Sequence, residues 1–279
     1  MNIVKSILEF NNLRNTFTGS VGFVPTMGAL HEGHLSLVRQ SKSQCDYTIV
    51  SIFVNPKQFA PNEDFSSYPR TLEQDIRKLK SIDIDLLFIP IEDEIYNDDY
   101  NEIKYQNDMF FILEGVTRPH FFKGVCNVVA RLFDIVTPTH SFFGEKDFQQ
   151  LRIIQSMTKN MDYNINIIPC KTIREPNGLA MSSRNEYLSD INRDKAKIIF
   201  ETLQLGLELI KEGNIKTSEV YNFLIKKISK EPDFRIDYIK IINYKTLMEF
   251  SDIIDDNFII CIAIYVEQTR LIDNIYNDK

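Results

Sequence analysis

Short, wholly apolar runs alternate with longer segments in which apolar residues recur every three or four positions through the first two-thirds of the chain. Val21-Gly-Phe-Val-Pro25 reads as a buried strand, and Leu35 to Ser43 as the helix after it. Tyr47-Thr-Ile-Val-Ser-Ile-Phe-Val54, dense in β-branched and aromatic residues, predicts a second strand. Leu72, Ile76 and Leu79 fall at helical spacing within residues 71–81, ahead of the strand-like Asp85-Leu-Leu-Phe-Ile-Pro90. Val125, Val128, Val129, Leu132 and Val136 make a helical stripe. Ser141-Phe-Phe-Gly144, a helix over residues 148–159 and the strand Asn166-Ile-Ile-Pro169 complete the series. Strands alternating with helices at this pace predict βαβ units and a parallel, doubly wound α/β sheet. Such sheets bind ligands at the carboxyl ends of their strands.

Past residue 187 the rhythm changes. Ile199, Leu203, Leu207 and Ile210 mark one helix, and Val220, Leu224 and Ile228 another. Strand-like runs follow at Phe234 to Ile242, at Phe258 to Val266 and near Leu271. The expectation is a Rossmann-like domain over residues 1–186 and a smaller C-terminal α+β domain over residues 187–279, without repeats or a low-complexity linker.

Charge narrows the range of partners. Thirty-two Lys and Arg stand against 39 Asp and Glu, a net charge of -7. That balance repels polyanions on average and argues against nucleic acid or an anionic membrane surface as partner, while a local cluster of cations still suits a small anion. The four cysteines, Cys45, Cys126, Cys170 and Cys261, lack CxxC or zinc-type spacing and sit among apolar neighbours, as free buried thiols do in a reducing compartment. The first residues show no secretory pattern, and the longest apolar run, Phe258 to Val266, is too short to span a bilayer as a helix. A cytoplasmic protein is expected.

Four polar blocks interrupt this pattern. In Pro25-Thr-Met-Gly-Ala-Leu-His-Glu-Gly-His34, His31 and His34 are three apart at a predicted helix start, which puts both imidazoles on one side of the first turn. Free amides and the positive dipole end there favour anions, and Gly28 and Gly33 allow close approach to the main chain. The imidazoles then suit charge building on a phosphoryl group. The alternative is a turn with two solvated histidines, or a zinc pair. Two of the chain's four histidines sit here, which favours function. Asn55 and Gln58, in Ser51-Ile-Phe-Val-Asn-Pro-Lys-Gln-Phe-Ala60, offer uncharged donors and acceptors for hydroxyls and a carboxylate, or simply stabilise a turn. In Phe143-Gly-Glu-Lys-Asp-Phe-Gln-Gln-Leu151, Lys146 suits a phosphate, Asp147 a ribose hydroxyl and Gln150 an acid substrate, although Glu-Lys-Asp is also a common solvated helix start. Arg174-Glu-Pro-Asn-Gly-Leu-Ala-Met-Ser-Ser-Arg-Asn185 reads by itself as a polar interdomain hinge.

HEGH after a strand resembles the HxGH signature of the nucleotidylyltransferase superfamily, and the longer string PTMGALHEGHLSLV is similar to that of the pantothenate synthetase family. FVNPKQF with the downstream Tyr68-Pro-Arg-Thr71, GEKDFQQL and MSSR extend the resemblance from Val21 to Asn185. It implies a ligase that joins pantoate to β-alanine through an acyl-adenylate, using ATP with Mg²⁺. Catalytic roles fall to His34, His31 and Lys146. ATP contacts fall to Met27, Gly28, Ala29, Leu30, His31, Glu32, Gly33, His34, Gly144, Glu145, Lys146, Asp147, Ile173, Met181, Ser182, Ser183 and Arg184. Pantoate and β-alanine fall to Pro25, Asn55, Gln58, Tyr68 and Gln150, and Asp75 is a candidate carboxylate for the metal. The first domain would then hold nucleotide and pantoate, the second would be a lid, and a homodimer is implied.

One stretch departs from the family's RPGHFxGV: here Arg118-Pro-His-Phe-Phe-Lys-Gly-Val125 places His120 at the glycine and Phe121 at the histidine. A nucleotidyl transferase using a phosphorylated acceptor is the nearest rival, but it leaves FVNPKQF, YPRT and GEKDFQQL unexplained. A nucleotide-binding regulator without catalysis is the rival from another class, and it would bind ATP without turnover.

Overall fold

The computed structural model describes residues 1–61, 63–213, 215–250, 252, 254 and 257–277. The chain packs into two units, Met1–Lys171 and Thr172–Lys279.

In chain order the first unit contains β1 (Asn2–Val4), α1 (Ile7–Arg14), β2 (Val21–Thr26), α2 (Glu32–Gln44), β3 (Tyr47–Ile52), α3 (Leu72–Ile82), β4 (Leu86–Phe88), α4 (Glu92–Ile95), α5 (Glu114–Thr117), α6 (Phe121–Val136), β5 (His140–Gly144), α7 (Phe148–Asn160) and β6 (Asn166–Cys170). Six strands form one parallel sheet in the order β1-β4-β3-β2-β5-β6. Neighbouring residues along each strand enter opposite cores. Phe23, Ile49, Leu86 and Phe143 pack with Phe10 of α1 and with α6 and α7, whereas Val24, Val50, Leu87 and Phe142 pack with Leu35 and Val38 of α2 and Leu79 of α3. Burial on both faces is why these strands read as continuous apolar runs. The sheet is doubly wound, as the alternation predicted. Strand order reverses between β2 and β5, so the crevice beyond their carboxyl ends is the place where such a sheet binds ligands. Four elements of this unit escaped the periodicity. β1 is only three residues long, α1 is an eight-residue helix with one fully buried side chain, Phe10, and α4 and α5 are four residues each.

The second unit contains α8 (Asp190–Lys195), α9 (Lys197–Lys211), α10 (Thr217–Ile228), β7 (Phe234–Asn243), β8 (Phe258–Val266) and β9 (Thr269–Tyr276). The three strands form an antiparallel sheet in sequence order, and Leu203 and Leu224 of the helices pack with Ile239, Ile260 and Ile262 of the sheet in one core. The packing boundary after Lys171 falls ahead of the 186/187 boundary expected from rhythm. Residues 172–186 look like a connector in sequence, but Arg174 makes two bonds to Asp273 of β9, at 2.6 and 3.0 Å, and so belongs with the second unit.

Candidate active site

The loop between β2 and α2 carries the first block. Gly28 and Ala29 both adopt left-handed backbone, with φ of 82° and 49°. Glycine does this without strain, but an L residue such as Ala29 is disfavoured there by roughly 1–2 kcal/mol. The compensating contact comes from α3: the Asp75 carboxylate accepts from the amides of Ala29 (2.9 Å) and Leu30 (2.8 Å) and from the Thr71 hydroxyl (3.2 Å). Lys78, one turn further along α3, donates to the Leu30 carbonyl. This arrangement corrects one expectation. Asp75 is 1% exposed with both oxygens committed to the loop, so it is a brace and not a metal ligand. Leu30 has its side chain in the core and both main-chain polar groups bonded.

Beyond this turn α2 begins. His31 caps it, its Nδ1 accepting from the Gly33 amide at 3.1 Å, while His34 Nδ1 accepts from the His31 amide at 3.4 Å. The two rings lie 4.1 Å apart. With each Nδ1 an acceptor, the neutral tautomer of both histidines carries its proton on Nε2. Burial, and then His31, Lys146 and Lys78, hold the His34 imidazole well below the usual histidine value. At pH 7 it is therefore a neutral ring presenting an Nε2–H donor. The expectation from sequence had the free amides of this helix start facing an anion. Here the Gly33 amide is taken by His31, so the donors on offer are imidazoles. Glu32 makes an exposed ion pair with Arg39 at 2.8 Å.

β3 leads into the second block. Asn55 caps the turn Pro56–Gln58 and is 1% exposed. Its oxygen accepts from the Lys57 amide (3.2 Å) and the Tyr96 hydroxyl (2.6 Å), and its amide donates to Gln58 Oε1 and the Gly124 carbonyl, both at 3.2 Å. Asn55 is thus a holder of Gln58 and is not itself placed to meet substrate. Gln58 Nε2 faces the Met27 sulfur, which joins this turn to the β2–α2 loop. α6 can approach the turn only because residue 124 is glycine: a Cβ there would lie 2.2 Å from the Lys57 carbonyl oxygen. Pro25 is half-buried on β2, and Tyr68 is 6% exposed with its ring edge-on to Phe59 at 5.7 Å. The departure at Phe121 lies close by. The Arg118 guanidinium sits 3.8 Å from the Phe121 ring, binds both Glu63 oxygens at 2.6 and 2.7 Å, and donates to the Gln58 carbonyl at 3.4 Å.

The third block follows β5, across the reversal point from β2. Gly144, Glu145, Lys146 and Asp147 are half-buried, and open space lies where a Gly144 Cβ would point. Lys146 lies 3.7 Å from Asp147 and acts electrostatically on His34. The paired glutamines at the start of α7 divide. Gln149 donates to the Met109 (2.6 Å) and Ile112 (2.7 Å) carbonyls and accepts from the Glu114 amide (3.1 Å), while the half-buried Gln150 bonds no other described residue.

In the second unit, residues 173–181 form a tight hairpin closed by a bridge between Arg174 and Ala180 and by the Met181 amide bonding the Ile173 carbonyl at 3.0 Å. Ser182 then caps the turn Ser183–Tyr187, its hydroxyl accepting from the Arg184 amide at 3.3 Å. Glu175 grips both ends of this segment, accepting from Asn185 at 2.7 Å and from Arg193 twice at 2.8 Å. Ser183 is buried and Arg184 half-buried.

Sequence reasoning missed Lys78, Gln149, Tyr96, Arg118 and Glu175, all of which hold rather than present. Only the helical spacing of Lys78 from Asp75 was visible beforehand.

Comparison with known proteins agrees with these blocks. The profile of the pantoate-beta-alanine ligase family matches residues 2–276. A curated pantothenate synthetase of Thermosipho africanus (strain TCF52B) is 44% identical over 278 residues, 99% of either chain. The solved pantothenate synthetase from Thermus thermophilus superposes with a TM-score of 0.93 at 37% identity, covering 99% of this chain and 100% of that one. A pantoate-beta-alanine ligase from Francisella tularensis, complexed with beta-gamma ATP and beta-alanine, gives 0.81 at 37% identity, covering 100% and 98%.

Proposed function

The chain belongs to the pantoate-beta-alanine ligase family, and from that premise we propose how its own residues carry out the reaction. The reaction is the ATP-dependent condensation of (R)-pantoate with β-alanine. The pantoate carboxylate attacks the α-phosphorus of ATP, forming a P–O bond and releasing pyrophosphate. The β-alanine amine then attacks the acyl carbon of pantoyl-adenylate, giving pantothenate and AMP. No protein nucleophile enters either step.

One observation carries the assignment of roles: two imidazoles 4.1 Å apart at the head of α2, the His34 ring neutral with its proton on Nε2, under the charge of Lys146 and at the reversal point of the sheet. A neutral donor aimed at developing phosphoryl charge needs no reorganisation when that charge appears. His34 is the principal donor and His31 its companion. Lys146 meets the phosphates as a point charge. Met27, Gly28, Ala29, Gly33, Gly144, Glu145 and Asp147 line the nucleotide. Gln58 and Gln150 take pantoate's carboxylate and hydroxyls, with Pro25 and Tyr68 as walls. For Ile173, Met181, Ser182, Ser183 and Arg184 the proposal rests on the motif and on the preset turn, Arg184 offering a planar fork to phosphate.

Among the described residues no cluster of three or more His, Cys, Asp or Glu stands together. The donors at the α2 head are imidazole and ammonium, which suit phosphate oxygens and not a hard cation. Mg²⁺ would arrive with ATP, held by phosphate and water, and would neutralise charge on the triphosphate. Among the described residues no helix is long and apolar enough to cross a membrane. The net charge of -7 disfavours nucleic acid as partner. A cytoplasmic location and a homodimer complete the proposal, on the family resemblance.

ATP–pyrophosphate exchange with Mg²⁺, with and without pantoate and with β-alanine omitted, tests the reading. Exchange that requires pantoate supports it. Exchange indifferent to pantoate, or its absence from folded protein that binds ATP, sinks it.

A further inference from the structure

We infer that Asp75 and Lys78 are positioning residues for adenylate formation, clasping the Gly28–Leu30 turn from α3 so that the two imidazoles at the head of α2 are aimed. The inference rests on the assignment of His31 and His34 above and adds to it the device that holds them.

The course of the loop is not one its own sequence would choose. Two successive residues are left-handed, and the second, Ala29, has a side chain. No glycine freedom explains position 29, so outside contact must help to hold it, and its amide donates to a carboxylate 46 residues away in sequence. Asp75 is 1% exposed, and each of its oxygens takes one of two consecutive amides. Lys78 takes the carbonyl that follows. Leu30, which leads into His31, is thereby fixed at both its amide and its carbonyl by residues one turn apart on a single helix.

The choice of groups being held is informative. A Gly-containing loop at a helix start ordinarily turns its amides toward an anion. Here the amides of Ala29 and Leu30 are turned into the protein instead. The clasp gives up two backbone donors, and what it fixes in return is the point where α2 begins. That point decides where His31 caps the helix and where the His31 amide meets His34 Nδ1. Loosening the turn leaves both histidines in place along the chain but frees their rings. Thr71, the last residue of the Tyr68–Thr71 block, braces Asp75 in turn at 3.2 Å, which gives that block a use other than substrate contact.

The test uses the full-length protein and two variants. Asp75→Asn keeps the shape but sets an NH₂ against one loop amide; Lys78→Met keeps the stem and removes the donor. In pantoate-dependent ATP–pyrophosphate exchange, Asp75→Asn is expected to lower kcat by about 30-fold or more and Lys78→Met by about 5-fold, since small misplacements of aligned groups are costly. The KM for pantoate should stay within about twofold in both, because Gln58 and Gln150 are untouched. Imidazole ¹⁵N spectra supply the readout that a purely structural role would not move: His34 should lose its single Nε2–H tautomer in Asp75→Asn. A folded Asp75→Asn with wild-type kcat and an unchanged His34 tautomer overturns the inference. If Asp75→Asn does not fold, Lys78→Met decides alone, and an unchanged kcat there overturns it equally. Wild-type protein without pantoate-dependent exchange would sink the assigned reaction and not the clasp, which the His34 tautomer in the two variants still reports.

Discussion

Two turns carry the residues proposed to meet the phosphates, and they are held in opposite ways. The turn at the head of α2 is strained and is gripped from outside, by Asp75 and Lys78 on α3. The turn at Ser183–Tyr187 is held mainly by neighbours in sequence: the hairpin before it closes on itself, Ser182 caps it, and Glu175 joins Asn185 to Arg193 of α8. Arg174, pinned to Asp273 and lying 3.5 Å from the Phe200 ring, ties the segment to β9 and α9 as well. An externally held turn transmits any disturbance of its holder to the side chains it presents. A self-held turn tolerates changes around it as long as its own short-range bonds survive.

The largest effect should come from the group the first turn presents. His34→Ala is expected to lower ATP–pyrophosphate exchange by about 10²–10³-fold, the usual consequence of losing one donor to developing charge, while far-UV circular dichroism stays unchanged. Wild-type exchange in this variant would remove the reason for the clasp. Next is the outside anchor of the second turn. Asp273→Asn leaves Arg174, whose side chain is 18% exposed, without its anion, at a cost of about 3 kcal/mol read by urea unfolding. If the hairpin is self-held, the KM for ATP should change by less than about threefold in the folded variant. A larger change would mean that both turns depend on outside anchors.

A third place compresses the contrast into adjacent residues. Gln149→Ala strips two part-buried carbonyls of their donor and should destabilise the protein by about 1–3 kcal/mol. Gln150→Ala should leave the thermal midpoint unchanged and raise the KM for pantoate by about tenfold, the signature of lost uniform binding. The smallest effect is one of pH. His34 is held below its unfolded value, so below about pH 6.5 the unfolded state binds the proton that the folded state refuses. Stability contributed at this site is full above that pH and falls as pH drops, by at most about 1.4 kcal/mol per unit. Urea midpoints at about pH 7 and about pH 5.5, on either side of the unfolded value, should show this slope in the wild type and its reduction in His34→Ala.

What was legible in the sequence was whatever depends on short-range pattern. The doubly wound sheet followed from apolar runs whose neighbours enter opposite cores, and the antiparallel second unit from the change of rhythm. The imidazole pair followed from its spacing at a helix start. What was not legible depends on partners far apart in sequence. A buried Asp75 that holds amides and an exposed one that holds a cation look the same as letters, so the metal reading was natural and the structure corrects it. Asn55 failed in the same way, since its four bonds reach Lys57, Gln58, Tyr96 and Gly124. The hairpin that moves the domain boundary hangs on Arg174 and Asp273, 99 residues apart.

The repeated glutamine of α7 also bears on how this protein tolerates error. One helical step turns a side chain by about 100°, so the two amides are interchangeable in kind but not in place. Were the start of α7 to shift by one residue, Gln150 could remake the part-buried bonds to Met109 and Ile112, but Leu151, 2% exposed in the core, would arrive where Gln150 had been. The repeat therefore insures one set of bonds, and insures neither the packing of the helix nor the amide proposed to meet pantoate.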